Sequence, residues 1–75
     1  MKNNILTILK DIKPEIEINL NSKLFESGYF DSFDLVLIVG ELENFFKLNI
    51  PGEMIIPENF EDIKSIKSMI QKLQN

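Results

Sequence analysis

One hydroxyl stands out among the groups of this sequence that could do chemistry. The segment Gly28-Tyr29-Phe30-Asp31-Ser32-Phe33-Asp34 leads from an irregular stretch into the clearest helical pattern of the chain. Asp31 is a natural N-cap there, and Asp34, three residues on, places a carboxylate in the first helical turn, where it is favoured. Ser32 then takes the first helical position with its hydroxyl spared capping duty. That hydroxyl can point to solvent beside the unpaired N–H groups of the turn. A phosphodiester attached to it would meet the positive end of the helix dipole. Gly28 lets the preceding loop turn sharply and present the corner. An Asp-Ser pair at a helix start is also simply a cap, and helix-start geometry alone favours that plainer reading.

The rest of the sequence offers little chemistry of its own. Histidine and cysteine are both absent. The commonest general base, the usual metal ligands and the usual activator of a nucleophilic serine are therefore missing. The carboxylates Glu26, Asp31 and Asp34 lack the spacing of a calcium loop and any partnering base. Neither a catalytic constellation nor a metal site is expected. Eight lysines and no arginine stand against twelve acids, for a net charge of −4. That balance argues against nucleic-acid recognition and suits a basic protein partner steered by long-range attraction. The start, Met1-Lys2-Asn3-Asn4, is too polar for a signal peptide, and no apolar run reaches membrane-spanning length. A cytoplasmic protein is expected, with all 75 residues in one domain.

The elements that must position Ser32 follow from hydrophobic spacing. Ile5, Leu6, Ile8, Leu9 and Ile12 predict a first helix over about 4–12, capped by Asn3 or Asn4 and ended by Pro14. Residues 13–31 form a long connection, dotted irregularly with Ile16, Ile18, Leu20, Leu24 and Phe25. The second helix starts at Asp31 or Ser32 and runs to about Phe46 or Lys47. Pro51 and Pro57 limit the next segment to one or two short turns. Ile63, Ile66, Ile70 and Leu73 predict a last helix over about 61–73. The fold class is all-α: a bundle of three main helices with a short third one and a long first loop.

The second helix carries more apolar residues than one core face can use. Leu35, Ile38, Val39, Leu42, Phe45 and Phe46 fall within roughly a third of its circumference. Phe33, Val36 and Leu37 lie on the other side, around Gly40, with Asp34 and Glu41 at the edge. A surface helix normally has one apolar stripe, so the second set predicts an exposed docking surface rimmed with acids. The plainer reading is that the long loop folds over Phe33 or Leu37. Gly40 fits the docking reading, since mid-helix glycine costs about 1 kcal/mol relative to alanine and its return is close approach of another backbone.

The run Leu24-Phe25-Glu26-Ser27-Gly28-Tyr29-Phe30-Asp31-Ser32-Phe33-Asp34 resembles the prosthetic-group site of acyl carrier proteins. In that family an aliphatic residue and phenylalanine, an acid and a glycine precede an Asp-Ser-Leu-type triplet. The resemblance continues through Glu41-Leu42-Glu43 and Phe46 to Ile50-Pro51 and covers roughly residues 20–73. It implies an acyl-carrier-like four-helix bundle with 4′-phosphopantetheine, taken from coenzyme A, attached covalently to Ser32. Asp31 and Asp34 would help place the modifying transferase and its metal. Phe33, Asp34, Val36, Leu37, Gly40 and Glu41 would face partners.

The same resemblance implies a monomer served by a phosphopantetheinyl transferase, an adenylating acyl or amino-acid ligase, and an acyltransferase or synthase. The length of the stretch from Pro51 to Ile66, with Phe60 inside it, is more similar to D-alanyl carrier proteins, which tend to have tryptophan where this chain has Phe60. Leu37 departs from the fatty-acid type, where glutamate is usual. A dedicated carrier of an acyl or amino acid is the expected function. The competing reading is a small helical interaction module that is never modified.

Overall fold

The computed structural model describes residues 1–75 and is all-helical. Helix α1 spans Lys2–Ile12, α2 Ser32–Phe46 and α3 Ile63–Gln74. Two single 3₁₀ turns, Gly52–Met54 and Pro57–Asn59, occupy the place expected for a short third helix. The prolines explain this. Pro57, which opens the second turn, cannot donate the hydrogen bond that would join the two into one helix, and Pro51 bounds the first turn on its N-terminal side.

Helix α1 begins two residues earlier than its apolar spacing suggests. Asn3 and Asn4 lie inside it and do not cap it: the N-cap is Met1, whose carbonyl accepts from the Ile5 N–H at 3.1 Å. The helix stops at Ile12, with Lys13 outside the helical region (φ −136°, ψ 78°) immediately before Pro14. Ile5, Ile8 and Leu9 are buried, and α1 packs against both α2 and α3.

Residues 13–31 are irregular but pinned. Ile18, Leu24 and Phe30 are buried in the core, whereas Leu20 is exposed. The Leu24 N–H donates to the Glu61 carbonyl at 3.0 Å and its own carbonyl accepts from the Phe30 N–H at 3.1 Å, so backbone hydrogen bonds tie this loop to the entry of α3. Gly28 closes a turn on the Phe25 carbonyl with φ +84°, a conformation that glycine adopts without strain.

Helix α3 starts at Ile63 and not at Glu61, because the Asp62 carboxylate accepts from the Ser65 N–H at 2.8 Å and is itself the cap. Ile63, Ile66 and Ile70 are buried as their spacing predicts, and Met69 joins them. The core unites 14 residues drawn from all three helices, the long loop, Ile50 and Phe60.

Of the apolar set assigned to the core face of α2, Ile38 and Leu42 are buried and Leu35, Val39 and Phe46 are partly buried. Phe45 departs from it and is half exposed. It stands at the edge of that arc, in a groove also lined by Glu41 and Asn44. The α1 residues that share its groove include Asn4, Thr7 and Asp11, the polar flank of that helix. The ring rests edge-on against Phe46, with centroids 4.9 Å apart.

Candidate functional site

Ser32 is the first residue of α2 and is exposed. The local sequence is arranged to leave it free. Asp31, in an extended conformation, accepts from the Asp34 N–H at 3.0 Å, and Asp34 returns the bond by accepting from the Asp31 N–H at 3.1 Å. This reciprocal pair satisfies the otherwise unpaired N–H groups of Asp31 and Asp34 with side chains on either side of the serine. The Ser32 and Phe33 N–H groups are the remaining orphan donors of the first turn and have no acceptor within the chain. A hydroxyl with no capping role thus stands beside two free N–H groups at the positive end of a fifteen-residue helix. That donor set fits a phosphodiester.

Asp34 is the member of the predicted set that the structure places differently. It lies turned inward, the one charged residue among the buried ones, and not at the rim of the outer face. The same Oδ2 that accepts from Asp31 also takes a hydrogen bond from Lys13 Nζ at 2.8 Å. Lys13 donates as well to the Tyr29 carbonyl at 2.9 Å and sits 5.7 Å from the centre of the Phe30 ring. The Lys13 hydrogen bond, followed by the Asp31 N–H, holds the Asp34 carboxyl below its ordinary value. The Asp34 hydrogen bond raises the Lys13 ammonium in turn. Sequence reasoning missed Lys13 entirely. It lies 21 residues before its partner, and no local spacing announces the pairing.

The outer face of α2 is as the surplus of apolar residues predicts. Phe33 is 72% exposed, Val36 69% and Leu37 45%, and Gly40 and Glu41 are open to solvent too. Phe33, Val36, Leu37 and Gly40 fall at i, i+3, i+4 and i+7, one continuous stripe running from Ser32 along the helix. The long loop does not fold over it. A Cβ built on Gly40 meets no atom within 4 Å, so nothing inside the chain requires a glycine there. Glu41 borders both this stripe and the groove between α1 and α2. Glu26 lines a separate shallow pocket with Phe25, Pro57, Glu58 and Glu61. It therefore stands apart from the Asp31–Asp34 pair.

Comparison with known proteins gives a consistent result. Residues 3–73 match the family described as phosphopantetheine attachment site. The D-alanyl carrier protein of Lactococcus lactis subsp. cremoris (strain MG1363) is 28% identical over 74 residues, covering 96% of this chain and 94% of the relative. The D-alanyl carrier protein of Streptococcus uberis (strain ATCC BAA-854 / 0140J) is 31% identical over 67 residues, 89% of this chain and 76% of that one. A chain in the crystal structure of Bradyrhizobium japonicum glycine:carrier protein ligase complexed with glycylated carrier protein has the same fold. It aligns with a TM-score of 0.80 at 24% identity, over 91% of this chain and 95% of that chain.

Proposed function

We propose, since the chain belongs to the phosphopantetheine attachment site family, that Ser32 is the residue carrying the arm and that the loaded cargo is an amino acid. The observation that supports Ser32 is its exposed, unengaged hydroxyl at the start of α2, held between the paired carboxylates Asp31 and Asp34. In the modification, Ser32 Oγ forms a bond to the phosphorus that bears the pantetheine half of coenzyme A. The bond from that phosphorus to the nucleotide half breaks, and 3′,5′-ADP leaves. The serine proton passes to a base on the transferase. The chain has no thiol, and the arm supplies the one that a thioester cargo requires.

The residues of the chain have three tasks in this scheme. Asp31 and Asp34 cap the start of α2 and leave the Ser32 hydroxyl free. The first-turn N–H groups of Ser32 and Phe33 neutralise part of the charge of the attached phosphodiester. Phe33, Val36, Leu37, Gly40 and Glu41 face the transferase, an adenylating ligase and an acceptor enzyme in turn. Contacts on so short a stripe are small, which suits a protein that must leave each partner after each step. Tethering keeps the cargo concentrated at whichever active site is engaged. An amino acid is favoured as cargo because the relatives matched over nearly their whole length are D-alanyl carriers. D-alanine is the first candidate. Coenzyme A and the ATP of an adenylating ligase place the cycle in the cytoplasm.

The test is intact-mass measurement after co-expression with a broad-specificity phosphopantetheinyl transferase. A gain of one phosphopantetheinyl group that Ser32→Ala abolishes is the expected result. An unmodified wild-type chain, with the transferase active on a control carrier, refutes the assignment and leaves an unmodified interaction module. Incubating the arm-bearing form with D-alanine, glycine or a fatty acid and the corresponding ligases then reads the cargo class.

A further inference from the structure

We propose that Lys13 is a positioning residue for the attachment serine, an inference that rests on the reading of Ser32 above. The reciprocal bonds between Asp31 and Asp34 span three residues and set only the local shape of the corner. They do not orient it relative to the rest of the bundle. The burial of Phe30 anchors it, but apolar contact has little directionality. The Phe30 N–H is bonded to the Leu24 carbonyl, and Leu24 to Glu61, but both bonds lie before the serine. Lys13 adds directed contacts on both sides of it. Its ammonium has three donors, and it spends one on the Tyr29 carbonyl, before Ser32, and one on Asp34 Oδ2, after it. It thereby bridges both sides of the serine with bonds of 2.9 and 2.8 Å.

Lys13 is itself well placed to act as a fixed post. It is the C-cap of α1, its N–H bonded to the Leu9 carbonyl, and Leu9 is fully buried. Pro14 follows and restricts its backbone. The side chain thus leaves from the rigid end of α1, at the point where the long loop departs. None of its contacts lies on the Phe33–Val36–Leu37 stripe, so orientation of the serine and docking of a partner are separable.

That separation makes the test. In Lys13→Met the stem remains and the two directed bonds go. Modification by the transferase is expected to lose about ten- to a hundred-fold in kcat, as for a reacting group displaced by a fraction of an ångström to an ångström, with KM little changed. Lys13→Arg, which keeps charge and donors, is expected to recover most of the loss. Amide hydrogen exchange on the unmodified protein gives an independent reading: faster exchange at Asp31 and Asp34 in Lys13→Met, with Ile38 and Leu42 as protected as in the wild type.

Equal kcat for wild type and Lys13→Met overturns the inference while leaving Ser32 as the attachment site. So does a loss carried by KM alone, or a loss that Lys13→Arg does not recover. Loss of protection at Ile38 and Leu42 also overturns it, because Lys13 would then serve the whole bundle and not the corner. A wild-type chain that takes up no arm refutes the attachment reading itself, and this inference falls with it.

Discussion

Gly40→Ala should stabilise the protein and impair its use by partners, and the opposite signs make it a sharp test. Gly40 lies in the interior of α2, where glycine costs about 1 kcal/mol relative to alanine through backbone entropy. The added methyl meets no atom within 4 Å, so no clash offsets the gain. A chain of this size has a total stability of roughly 4–11 kcal/mol, at about 0.05–0.15 kcal/mol per residue. The gain is thus a visible fraction of the whole. It corresponds to a rise of about 4–8 °C in thermal midpoint for a domain of this length.

Far-UV circular dichroism of the unmodified protein reads that rise directly. The same methyl stands on the stripe beside Leu37, where a partner's backbone would approach. Modification or loading kinetics should therefore show a higher KM for at least one partner. An unchanged or lower midpoint would refute the helix argument. A higher midpoint with unaltered kinetics toward every partner would refute the idea that the glycine admits a close approach.

Two further outcomes follow from the caps. Asp31→Ala removes the acceptor for the Asp34 N–H and should cost about 1 kcal/mol, read as a lower thermal midpoint, with Asp31→Asn much closer to the wild type. In acid, the Asp34 and Asp62 carboxyls are both held below their ordinary value of 3.8, Asp34 chiefly by Lys13 and Asp62 chiefly by the Ser65 N–H. Their stabilisation is complete above that unfolded-state value and is lost as pH falls through the lower folded-state values. The midpoint should accordingly fall below about pH 4. A doubly substituted Asp34→Asn, Asp62→Asn chain should show a shallower fall, and an identical acid profile for both would refute the assignment.

Much of the site was legible because it is built from neighbours in sequence. Asp31, Ser32 and Asp34 make a helix start whose hydrogen bonds span three residues, and such bonds follow from residue type and spacing alone. The outer stripe was legible for a different reason. Phe33, Val36 and Leu37 exceed what one buried face can accommodate, so a second face had to be exposed. Phe45 misled the same reasoning, because a place at the edge of an apolar arc does not say whether the facing helix offers an apolar or a polar flank. The first-helix cap was misplaced because Asn3 and Asn4 are good capping types, yet the backbone of Met1 serves instead.

The chain by itself determined where its helices stop, which hydroxyl is left free at a helix start, and that one helix has two apolar faces. These are consequences of dihedral restriction, hydrogen-bond counting and periodicity, all of which act over a few residues. Only the tertiary structure decided that Asp34 turns inward to meet Lys13, that Leu24 bonds to Glu61, and that Phe45 is left at a rim. Those contacts join residues far apart in sequence or depend on what stands opposite. Packing of α1 and the long loop brings their partners together, and no local pattern encodes that meeting.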